Sequence, residues 1–167
     1  MKALAGLLLC VVLTLPTGVA ALALPWESYR LVGAAELNFL FWPIYEASLY
    51  SPTQRFDLPP ETPFALSLTY KRAFTGKQLV EETQRQWQDI GVQADPDWIR
   101  RLMDLLPDVN RDDTITLFVA DEASHFFHNN MKLGAIADEG FSRNFAAIWL
   151  SERTSRPQFR DQLLGID

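Results

Sequence analysis

At 167 residues the chain has room for one domain, and 48% hydrophobic residues, with eleven Phe and five Trp, are enough to build a packed core. The net charge of −6, spread among interspersed acids and bases without a long basic tract, argues against a nucleic-acid-binding module and offers no electrostatic support for an anionic membrane face. A single cysteine excludes an internal disulfide.

The N-terminus reads as a secretory signal peptide spanning residues 1–23. Lys2 supplies a positive start, Ala3 to Leu15 is an almost unbroken apolar run, Pro16-Thr17-Gly18 break it, and Ala21-Leu22-Ala23 forms an A-x-A site. The run is too short for a membrane span, so cleavage after Ala23 is expected, leaving no integral span and no cysteine, since Cys10 lies within it. Residues 24–167 then form the domain, exported to a periplasmic or secreted location.

Leu24 to Tyr29 is a lead-in, and Leu31 to Tyr50 reads as two successive strands. Three prolines make Asp57 to Pro63 a loop. Phe64, Leu66, Leu68 and Tyr70 share one face of a strand running toward Phe74. Thr75 with Gln78 fits a capping box, and Leu79, Val80, Thr83, Trp87 and Ile90 line one side of the helix that follows, ended by Gly91. Asp95-Pro96 opens a second helix with Trp98, Ile99, Leu102, Met103 and Leu106 expected inside. Strands are expected at Thr114 to Ala120, around Phe126-Phe127, and from Met131 to Ile136, with Asn129-Asn130 turning a hairpin. Asp138 caps a helix that turns Phe141, Phe145, Ile148 and Trp149 inward. Ser155 with Gln158 fits a further capping box for a last helix ending at Gly165. Strands, a helix pair, a hairpin and then helices spell α+β with a mostly antiparallel sheet.

Little conventional chemistry is written in the chain. His125 and His128 are the only histidines; on a strand their odd separation puts them on opposite faces, so joint metal ligation fails. Asp108 to Asp112 mimics the start of a calcium loop, but Asp113 stands where Gly is required and Val119 where Glu is required. No phosphate loop, nucleophile elbow or dinucleotide fingerprint occurs, and no metal or cofactor is called for. What remains is an apolar interior with Tyr45, Tyr70, Lys71, Arg72, Gln86, Trp87, Asn144, Thr154 and Ser155 as polar candidates. Taken one at a time, each also reads as packing, solvated surface or a cap.

Three blocks resemble a known family when taken together: Ile44 to Tyr50, Leu68 to Leu79, and Ile148-Trp149-Leu150 with Thr154 to Arg160. They are similar to chalcone isomerase-like proteins, and specifically to an exported bacterial branch. The resemblance implies an open-faced β-sandwich, an antiparallel sheet covered by a helix layer with a cleft between. In the family's enzymes an Arg holds the oxyanion of the reacting phenol. The resemblance implies that this Arg falls near Ala35 to Leu37, where Glu36 stands. The strand Thr is met by Tyr45, a helix Tyr by Leu79, a later Asn by Gln86, and the C-terminal hydroxyl by Thr154 or Ser155. Some relatives bind fatty acids through the same Arg, and Arg72, on the strand face of Tyr70, is a candidate substitute.

The expected function is therefore a non-catalytic protein that holds a small apolar or fatty-acid-like ligand in the sheet–helix cleft. Tyr45, Tyr70, Arg72, Leu79, Gln86, Thr154 and Ser155 are the cleft candidates. Two alternatives stand beside it. One is an isomerase- or lyase-type enzyme of altered chemistry. The other is an envelope interaction protein whose cleft is plugged by Phe39, Phe41 and Trp87. The residues name no protein partner.

Overall fold

The computed structural model describes residues 23–57 and 63–166. The predicted signal segment and most of the proline loop lie outside them. Six strands follow one another as neighbours in a single antiparallel sheet: β1 (Arg30–Phe39), β2 (Trp42–Ser51), β3 (Phe64–Tyr70), β4 (Thr114–Ala120), β5 (Ala123–His128) and β6 (Met131–Ala137). Two helices, α1 (Gly76–Asp89) and α2 (Pro96–Leu105), are inserted between β3 and β4, and α3 (Glu139–Leu150) and α4 (Pro157–Leu164) follow β6. All four lie on one face of the sheet, so the α+β order read from the chain and the open-faced sandwich that the resemblance implies are the fold observed. Among the described residues no helix is long and apolar enough to cross a membrane.

Local chemistry explains most element ends. Thr75 and Gln78 form the full reciprocal capping box of α1. Asp95 and Asp138 cap α2 and α3 through their carboxylates. Gly91 and Gly165 take positive φ where α1 and α4 stop. Asn129 and Asn130 both adopt positive φ in a two-residue hairpin, as Asp121 and Glu122 do one turn earlier.

Two expectations fail at this level. Ser155 does not cap α4: the N-cap is Arg156, with no side-chain cap bond, because the Pro157 ring already occupies the first helical position one residue later than the box requires. Met103 is largely exposed, and it is Leu105 that reaches the sheet at Gly134.

The core lies between sheet and helices. Strand alternation turns Leu49, Leu66, Leu117 and Phe126 toward Trp87, Phe141, Phe145 and Leu163. The other sheet face carries a small cluster, in which the lead-in residue Trp26 packs on Ala65, Phe118 and Phe127. Gly33 sets how closely α4 approaches β1: a Cβ there would lie 2.2 Å from the Gln162 carbonyl oxygen. Only glycine admits that backbone-to-backbone contact.

Candidate functional site

A cavity of about 580 Å³ opens between the sheet and the helix layer. Strand register sorts its lining. Tyr45 pairs with Tyr70 near the end of the sheet where β1 turns into β2; one step deeper come Ala47, Leu68 and Ile115, and deeper still Leu49, Leu66 and Leu117. Phe126, Phe145, Ile148 and Trp149 line it as well. Two phenols therefore stand toward the mouth, with an aliphatic and aromatic floor behind them. Gln78, Glu82, Arg85, Gln86 and Arg156 supply its other polar lining.

The tyrosines are held neutral. Burial pushes the Tyr45 phenol up to about 12, and burial likewise pushes Tyr70 upward. The Trp149 indole donates to the Tyr45 oxygen at 2.9 Å, which leaves the Tyr45 proton available to a guest. No group among the described residues bonds the Tyr70 hydroxyl. Both phenols can donate hydrogen bonds at neutral pH; neither is ionised to act as a base. The histidines lie elsewhere. His125 faces Phe118 on the far side of the sheet, where burial lowers its pKa, and His128 pairs with Asp113 at 3.5 Å.

Of the candidates read from the sequence, Tyr45, Tyr70, Leu79 and Gln86 line the cavity, and Arg72, Thr154 and Ser155 do not. Strand β3 ends at Tyr70, so the alternation invoked for Arg72 stops short of it; its guanidinium lies over the Phe74 ring at 5.6 Å. Thr154 donates to the Ile148 carbonyl at 3.1 Å, which turns it back onto α3, and Ser155 is exposed. Lys71 pairs with Glu46 at 3.2 Å, and the Asn144 amide donates to the Gly140 carbonyl. The acid that the resemblance placed in the cleft is not there: Glu36 is exposed and accepts from Asn38, while its neighbours Ala35 and Leu37 face inward. The cleft is therefore neutral at that strand.

The proposed plug fails as well. Phe39 is 61% exposed and Phe41 95% exposed, while Trp87 is fully buried under the helices with its indole on the Asn144 carbonyl at 2.8 Å.

The cation that sequence reading missed is Arg156. It lines the cavity and lies near enough to Tyr45 to favour the phenolate slightly. Its one sequence signal is position, directly before Pro157, where the elbow between α3 and α4 swings it toward the mouth. Arg85 also lines the cavity but is engaged by Glu82 and, at 3.0 Å, by Asp89. Among the described residues Arg156 forms no ion pair.

Comparison with known proteins agrees with this fold. A solved fatty-acid binding protein of Arabidopsis thaliana superposes with a TM-score of 0.64 over 92% of this chain and 95% of its own, at 13% identity, which establishes the shared fold. A search of curated proteins finds no match. The family profile described as chalcone isomerase-like matches residues 20–165, and the chain belongs to that family.

Proposed function

We propose that the protein is a non-catalytic carrier of a small acidic amphiphile of the fatty-acid type, held with its chain inward and its carboxylate at the mouth. The observation that carries this reading is the polarity gradient of the 580 Å³ cavity, in the size range of small-molecule sites. Donors from Tyr45, Tyr70 and Arg156 gather at one end, where the Glu82 carboxylate is engaged by Arg85, and an apolar floor fills the other. The Arabidopsis protein of the same fold is a fatty-acid binding protein, which supports the same class of guest.

Titration with a fluorescent long-chain fatty acid tests this directly. Saturable binding of one molecule per chain is expected, displaced by unlabelled fatty acid. Failure to saturate, or cyclisation of a chalcone at enzyme-like rates, would sink it.

We also read the chain as exported, from the Ala3 to Leu15 run and the small residues Ala21 and Ala23. The intact mass of protein recovered from the periplasm or medium is expected to begin at Leu24. A mass retaining Met1 would refute cleavage.

A further inference from the structure

The turn between β1 and β2 is unlike the other hairpin turns of the sheet. Asp121-Glu122 and Asn129-Asn130 fill theirs with polar residues at positive φ. The β1–β2 turn also takes a positive φ, 57° at Leu40, but is built from Phe39, Leu40, Phe41 and Trp42, which are 61%, 77%, 95% and 68% exposed. Turn geometry therefore does not explain the composition, and four consecutive exposed apolar residues are costly on a surface unless something covers them. The finger is continuous with the cavity: Phe39 and Ile44, one on each of its strands, line the mouth with Arg156. Arg72 stands beside its base, since Lys71 bonds the Ile44 carbonyl through its backbone. Neither Arg72 nor Arg156 forms an ion pair among the described residues.

We propose that this finger inserts into the surface of a lipid bilayer and places the cavity mouth against it, so that an acyl chain passes between bilayer and cavity without crossing water. The passage of the guest rests on the carrier reading above; the docking itself does not. A four-residue finger is far smaller than the twenty or so residues per side, roughly, that a stable protein pair requires. It does suit shallow insertion, with Trp42 at the interface as aromatic belts are. The two guanidiniums would then lie at the level of the lipid phosphates. The net charge of −6 gives no long-range attraction, so apolar insertion carries the affinity and binding should persist at raised salt.

The chain expected after cleavage, beginning at Leu24, carries every strand, helix and core cluster among the described residues and lacks the Ala3 to Leu15 run that would itself bind lipid. This chain is mixed with vesicles of phosphatidylcholine, alone and with a minority of phosphatidylglycerol. Trp26, Trp87 and Trp149 are buried and Trp98 half-buried, so a blue shift in emission reports Trp42 and should vanish in Trp42→Phe. Cosedimentation should fall about tenfold to a hundredfold in Phe41→Asp, the range expected from withdrawing one aromatic side chain from an apolar phase. Met131→Asp, at another exposed apolar site, on the opposite edge strand, should bind as the parent does.

Transfer of fluorescent fatty acid from vesicles should accelerate with vesicle concentration in the parent and become independent of it in Phe41→Asp, whose affinity in water is unchanged. Equal sedimentation of parent and Phe41→Asp would overturn the proposal, as would binding abolished by salt. So would a parent dimer that Phe41→Asp converts to monomer. Docking without any fatty-acid binding would instead leave the bilayer contact standing and remove the carrier function.

Discussion

Trp87→Ala is expected to destabilise the protein by about 3–5 kcal/mol, the usual range for deleting a large aromatic from a core. At this chain length that corresponds to a fall in Tm of roughly 6–20 °C. Trp87 is fully buried and joins three helices. It packs at a tilt against Trp98 of α2 at 5.7 Å, meets Phe141 and Phe145 of α3, and donates to the Asn144 carbonyl. Trp87→Phe should be milder, because the Asn144 carbonyl lies inside α3 and keeps its helical partner. Urea unfolding of the three proteins measures the difference. A loss below about 1 kcal/mol for the alanine variant, the level of an average substitution, would mean that the helix layer is not anchored at this indole.

Charge reversal at the mouth, Arg156→Glu, is expected to weaken binding of a long-chain fatty acid about ten- to a hundredfold. A hydrogen bond to a charged group contributes about 1.5–3 kcal/mol, and exposure at the mouth moves the effect toward the lower end. A fatty alcohol of the same length should bind both proteins alike. Stability should not suffer, because Arg156 makes no side-chain cap bond and an acid at the start of α4 favours its dipole. Competition against a bound fluorescent probe reads both ligands. Equal loss for acid and alcohol would show that the substitution closes the cavity rather than removing a carboxylate partner. Tyr45→Phe is a poorer probe of the same site, since it would strand the buried Trp149 donor and cost stability as well.

The order and type of the elements were legible in the sequence because each is signalled locally. Period-two alternation marks β3, the Thr75 and Gln78 pair marks the start of α1, and Asn129-Asn130 marks a hairpin. The site was legible only in part. Tyr45 and Tyr70 could be found because both fall on the inward face of neighbouring strands, in direct register. Arg72 was misplaced because the strand stops two residues before it, and Thr154 because its hydroxyl is consumed by the Ile148 carbonyl. Glu36 looked like an acid in the cleft only while its strand face was unknown; a shift of one residue decides between cleft and solvent. Charge counting likewise missed the pairing of cations with the apolar finger, since composition carries no positions.

What the sequence determined by itself is therefore the architecture: the strands, the caps, the apolar faces and the absence of a conventional catalytic motif, all of which depend on neighbours a few residues apart. Tertiary structure alone decided that the interior stays open, that Arg156 is brought to its mouth, and that Phe39 to Trp42 stand in solvent beside it. Those outcomes depend on how far the helix layer sits from the sheet and where the α3–α4 elbow points, which contacts between segments over a hundred residues apart, such as Trp149 on Tyr45, establish.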